Sequence, residues 1–183
     1  MRNLLGVVAI CGAATIAFAQ SAVPKDIGVC DLFRDPSRYN GKRIAVRGVY
    51  HPGGHGLYLD GGDCGEVLTT RGYRWPSRIW VPLARDEYLS RGLSIQGEVD
   101  AEIEIATARS REGQRRGGAG VIERVTVTYV GLFETHNDLG AAVVQGPIPR
   151  GVGFGQGLTA PGQLFVTAVR DILVEFVEEP ARR

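Results

Sequence analysis

Two periodicities run along the chain, and they change over at identifiable residues. From Lys42 the period is two. Ile44, Val46, Gly48 and Tyr50 face one way while Arg43, Ala45, Arg47 and Val49 face the other, which predicts a strand with one charged face. His51-Pro52-Gly53-Gly54-His55-Gly56 is a turn by composition, and Leu57-Tyr58-Leu59 begins the return strand of a hairpin that Gly61-Gly62-Asp63-Cys64-Gly65 closes. Residues 66–76 are irregular, residues 78–83 read as a short strand, and residues 85–91 as a short helix stopped by Gly92.

Residues 94–105 carry the clearest alternation. Ile95, Gly97, Val99, Ala101, Ile103 and Ile105 interleave with Gln96, Glu98, Asp100, Glu102 and Glu104, which predicts a strand with a buried face and an acidic one. Residues 121–133 alternate in the same way and are its expected partner. A symmetric hairpin centred near Gly113 would set Arg124 across from Glu102. The stretch 107–120 between them, with Arg109, Arg111, Arg115 and Arg116 among glycines, reads as an exposed loop. A glycine-rich loop covers 140–162, and an apolar segment, 164–177, interrupted by Arg170-Asp171, is long enough for one bent strand or two.

Upstream of the first strand the period is helical. Asp26 is placed to cap a turn running from Ile27 to Phe33, Asp35-Pro36 ends it, and Pro36 opens a second turn that Gly41 stops. Before that lies a third kind of pattern. Arg2 is the only early charge, an apolar run extends from Leu4 to Phe18, and Ala17-Phe18-Ala19 precedes Gln20, the plan of a cleavable secretory signal. The run is shorter than the roughly twenty residues a membrane-spanning helix needs. Cys11 follows a branched Ile10, which fits poorly with lipidation. The expected organisation is a signal over residues 1–19 and one domain over 20–183, soluble after cleavage and periplasmic or secreted.

Composition adds three constraints. Without residues 1–19 the side-chain charges are 20 against 20, because Arg2 is removed from 21 Lys+Arg and no acid is lost from 20 Asp+Glu, so no nucleic-acid or membrane partner is indicated. Cleavage also removes Cys11 and leaves Cys30 and Cys64 as an even pair in an oxidising compartment, which implies a disulfide. Several short strands, a helix between the third and fourth, and a closing last strand are the plan of an OB-fold. The expected fold is therefore all-β, an OB-like five-stranded, partly open barrel with short helices and one disulfide.

Val29-Cys30-Asp31-Leu32, Pro36, Tyr39, Gly41-Lys42, Val46-Arg47-Gly48, Leu59, Cys64, Trp80, Val125-Thr126-Val127 and the run 164–172 together resemble a family of uncharacterised exported bacterial proteins. The resemblance implies an OB-like barrel in an exported protein and no particular chemistry.

Candidate chemistry is sparse. His51 and His55 with Asp60 and Asp63 are metal-type ligands on a loop, but read more simply as turn residues, and no metal or cofactor is expected. Glu98, Asp100, Glu102 and Glu104 on one strand face could serve a hydrolase, and otherwise form a solvated ladder. Residues 151–157 are glycine-rich without the Lys-Ser/Thr of a phosphate loop, and His136 has no nucleophile beside it. Tyr58, Tyr73 and Trp75 with Arg71 and Arg74 are the candidate ligand-binding set, and Trp80, between Ile79 and Val81, is placed in the core. The expected function is a non-enzymatic binding module for a small molecule or an envelope protein, with a hydrolase using the acidic face as the alternative.

Overall fold

The computed structural model describes residues 25–53, 56–65, 68–70, 73–116, 121–136, 139, 153–155 and 159–177. The expected signal segment over 1–19, Cys11, His55, Arg71 and most of 140–162 lie outside them. Among the described residues, eight strands and three α-helices follow in the order β1 (Asp26–Gly28), α1 (Val29–Arg34), β2 (Lys42–Gly53), β3 (Gly56–Asp60), β4 (Thr69–Thr70), β5 (Tyr73–Arg74), β6 (Arg78–Val81), α2 (Arg85–Leu89), α3 (Gln96–Arg115), β7 (Val121–Thr135) and β8 (Gly162–Val177). A 3-10 turn, Pro36–Tyr39, joins α1 to β2.

Five of these strands close into a barrel in the order β2-β3-β6-β8-β7, with β7 returning to β2. Closure depends on the length of β2. Its first part, from Lys42 opposite Phe133 to Val49 opposite Thr126, pairs antiparallel with β7. Its last part, from Val49 opposite Asp60 to Gly53 opposite Gly56, pairs with β3 on the other edge. One strand thus serves two sheets' worth of partners, and the barrel is closed rather than partly open. β6 meets β8 in parallel at Trp80 opposite Gln163.

The period-two reading of β2 holds. Ile44, Val46 and Tyr50 are core residues, joined by Leu57 and Leu59 from β3, Ile79 and Val81 from β6, Val125, Val127, Tyr129 and Phe133 from β7, and Leu164 and Val166 from β8. The segment 164–177 belongs to one strand, and its interruption is a kink at Asp171, φ 52°, with a register shift against β7. Gly41 and Gly92 take positive φ where turns were expected to stop.

Three sequence expectations are overturned. Asp26 is not a cap: it begins β1, which pairs parallel with residues 45–47 of β2, and the helix N-cap is Gly28. Residues 94–105 do not form a strand, because α3 runs from Gln96 to Arg115. The segment is built mainly of Glu, Ala, Gln and Arg, strong helix formers, and its alternation competes with a helical stripe at Glu98, Ala101, Glu102 and Ile105. The stripe wins by burying Ala101 and Ile105, which leaves Val99 and Ile103 39% and 59% exposed. With the strand goes its hairpin: Arg124 pairs across β7–β8 with Glu175, and Arg109, Arg111 and Arg115 stand on α3.

α3 approaches β8 closely at Gly97, where a Cβ would lie 2.5 Å from the Thr167 carbonyl oxygen, so only glycine permits the contact. α1 contributes Val29, Leu32 and Phe33 to the core. The Cys30–Cys64 disulfide, Cα–Cα 5.3 Å, ties α1 to the segment that follows β3. Among the described residues no helix is long and apolar enough to cross a membrane.

Candidate functional site

Two polar groupings come out of this fold, one beneath α3 and one on the barrel's outer surface. Beneath α3, the helical stripe that buries Ala101 and Ile105 also carries Glu98 and Glu102 inward. The Tyr50 hydroxyl donates to Glu102 at 2.6 Å and the Tyr129 hydroxyl at 3.1 Å. Both tyrosines lie in the core, and burial, then the Glu102 charge, pushes the Tyr129 hydroxyl well above its ordinary pKa. Glu98 is 6% exposed, and burial together with the neighbouring Glu102 raises its carboxyl to about 6. A raised carboxyl beside a second carboxylate is a general-acid profile. Here, however, it sits under a helix rather than at a surface a substrate reaches. The hydroxyl–carboxylate pairs compensate the burial of Glu102, and their chemistry is that of a helix-to-barrel clasp.

The outer surface is organised by strand parity. Leu57 and Leu59 point into the barrel, so Tyr58 and Asp60 point out, and on β6 Ile79 and Val81 point in while Arg78 and Trp80 point out. The register sets His51, Tyr58 and Trp80 in one row and Val49, Asp60 and Arg78 in the next. The Tyr58 ring is 5.0 Å from Trp80, edge to face, and the Arg78 guanidinium lies over the Tyr58 ring at 4.8 Å. Arg78 also donates to the Thr159 hydroxyl at 3.0 Å.

Trp80 is buried, as expected, but on the outer side. A Cβ at Gly56 (φ 149°) or at Gly155 would collide with its indole, so those two glycines are what let the chain close over it. Next to this cover, His136 stacks on Phe154 with ring centroids 4.3 Å apart. Tyr58, half-buried between the Arg78 and Trp80 side chains, is the exposed edge of the group.

The structure scatters the rest of the candidate set. Trp75, 3% exposed, belongs to a small satellite cluster with Leu68 and Leu139 and presents no free ring face. Arg74 is exposed and donates to the Gly65 carbonyl at 2.8 Å. Tyr73 supplies backbone to β5, its side chain falling outside the described residues, as does Arg71. Of the metal-type residues, Asp60 accepts from the Gly62 amide at 2.6 Å and Asp63 from the Gly65 amide at 3.0 Å. Among the described residues no three of His, Cys, Asp and Glu gather around a common point.

The acidic ladder is dissolved by the helix: Glu98 and Glu102 turn inward while Asp100 and Glu104 stay outside. Of the arginines expected in a loop, Arg115 and Arg116 both bind Glu112, which holds that carboxyl down at about 2.

Sequence reasoning passed over Arg78, the Glu102–tyrosine pairs and the outward position of His51. Parity could have found two of them, since His51 extends the Arg43-to-Val49 face and Arg78 shares the parity of Trp80. The chain matches no protein-family model and no curated protein.

Proposed function

We propose that this chain is an exported, non-enzymatic barrel of OB type that binds a small molecule or an envelope protein through the outer face of β2, β3 and β6. The strand order, the parallel β6–β8 pair and the helix between β6 and β7 support the OB reading. The single observation that carries the binding reading is the Tyr58–Arg78–Trp80 group, an aromatic edge and a stacked cation brought out on one strand face. A ligand reading based on the OB face is an argument from fold, and the residues themselves restrict it to planar or anionic groups. The Cys30–Cys64 disulfide is compatible with export to the periplasm or beyond.

The hydrolase alternative depended on four carboxylates sharing a strand face, and α3 removes that face. Native mass spectrometry of the protein from an exporting bacterial host tests the reading, with Tyr58→Ala and Arg78→Ala compared beside the unaltered chain. The expected result is a start at Gln20 and a co-purifying mass or partner that both variants lose while keeping their thermal midpoints. A co-purifying mass that both variants retain would place binding elsewhere, and an uncut chain would remove the case for export.

A further inference from the structure

The ladder joining β2 to β7 ends at Val49 opposite Thr126, after which β2 continues with β3 alone. Where the two strands part, a hollow of about 180 Å³ opens, lined by Val49, Tyr50, His51, Pro52, Arg109, Arg124 and Val125. A second hollow of about 220 Å³ shares Val49, His51 and Arg124 with it and extends to Asp60 and Gly62.

Three separate elements each bring one nitrogen-bearing side chain to this mouth. On α3, Arg109 follows Ile105 by four residues and so continues the inward stripe to the end of the barrel. On β7, Arg124 is the outward neighbour of buried Val125, and on β2, His51 is the outward neighbour of buried Tyr50. Arg34, Arg91, Arg115, Arg116 and Arg170 are all in ion pairs. Arg109 and Arg124, by contrast, make no ion pair or hydrogen bond among the described residues. Three carboxylates stand nearby, and the first of them, Glu102, accepts from the hydroxyl of Tyr50, a residue of the first hollow. Asp60 lines the second hollow together with His51 and Arg124 and already accepts from the Gly62 amide, and Glu175 faces Arg124 across the β7–β8 ladder without forming an ion pair.

Two guanidiniums around one small hollow, neither in an ion pair among the described residues, repel each other, and an anion between them turns that repulsion into two charge-assisted contacts. The volume lies below the roughly 300 to 1,000 Å³ of a drug-sized site and suits a single oxyanion group. We infer that this mouth is a phosphate subsite, in which Arg109 and Arg124 clamp the oxyanion and His51 adds a third contact. The phosphate is either the free ion or the terminal group of a larger envelope molecule. The inference rests on the reading of the chain as a binding module and adds the ligand group that this module holds.

Backbone-amide NMR of the chain from the exporting host, titrated with inorganic phosphate and with glycerol 3-phosphate, tests it. Saturable shifts are expected at residues 49–51, 109, 124 and 125, weakening as salt rises. Arg109→Gln and Arg124→Gln should each lower the affinity about tenfold, the loss expected of one charge-assisted hydrogen bond. Arg43→Gln, in the separate hollow beside Lys25 and Arg38, should leave it unchanged. Tighter binding of the ester than of the free ion would assign the site to a larger phosphorylated molecule, and the reverse order to phosphate itself. No shifts at those amides at tens of millimolar phosphate, or an affinity unmoved in the double variant, would overturn the subsite. If Tyr58→Ala still releases a co-purifying mass in that case, the binding-module reading survives; if it does not, both fall.

Discussion

Glu98 is the residue whose environment most contradicts its chemistry. Its carboxyl sits at about 6 rather than 4.5 because burial, and then Glu102, disfavour the charge. The folded state therefore holds this proton over a range in which the unfolded chain has released it, and the contribution of Glu98 to stability falls as pH rises from about 4.5 to about 6. The shift corresponds to roughly 2 kcal/mol. Glu98→Gln should accordingly be more stable than the unaltered chain at pH 7 and nearly equal to it at pH 4, read as the difference between urea midpoints at the two values. Equal stability at pH 7 would show that the carboxyl is solvated. The other carboxylates with resolved shifts move the opposite way: Glu112 is lowered by its arginines, and at Glu134 the Arg91 and Gln163 hydrogen bonds outweigh the upward push of burial. The variant difference isolates Glu98 from both. Tyr50→Phe removes the 2.6 Å hydrogen bond to Glu102 and should cost about 1 to 3 kcal/mol in the same assay.

α3 is the element on which the site depends, since it supplies the clasp to Tyr50 and Tyr129 and carries Arg109 to the barrel mouth. Its two glycines separate packing from propensity. Gly113 has open space around its missing Cβ, so Gly113→Ala should stabilise by about 0.5 to 1 kcal/mol through helix propensity. Gly97→Ala gains the same propensity but drives a methyl into the Thr167 backbone, and should destabilise by about 1 to 3 kcal/mol. Opposite signs in chemical denaturation are the expected outcome, and a stabilising Gly97→Ala would mean that α3 does not lie on β8. The same helix marks the limit of the period-two rule. Glu, Ala, Gln and Arg over twenty residues favour a helix on composition, and a stripe with two of its four members charged does not announce itself as a buried face.

At the scale of the molecule, the Cys30–Cys64 bridge closes a separation of 34 residues, enough on the chain-entropy account to contribute about 3 to 4 kcal/mol. Reduction should lower the thermal midpoint by roughly 10 °C, read by calorimetry with and without a reductant. The bridge, the β2–β3 hairpin, the turns at Gly41 and Gly92 and the inward faces of β2 and β7 were all legible along the chain. Each depends on local chemistry: cysteine count, turn composition, or alternation over consecutive residues. Full closure of the barrel, the inward turn of Glu98 and Glu102, the burial of Trp75 and the meeting of His51, Arg109 and Arg124 were not. Those depend on which distant segments share a wall, and side chains far apart along the chain, such as Tyr50 and Glu102 or His51 and Arg109, carry no mutual signal in a single sequence. What the chain alone determined was a β-rich, disulfide-tied domain with its strand faces sorted. Tertiary structure decided which charges were buried, which were paired, and which were left facing a hollow, because the surroundings of a charge are set by packing and not by its neighbours along the chain.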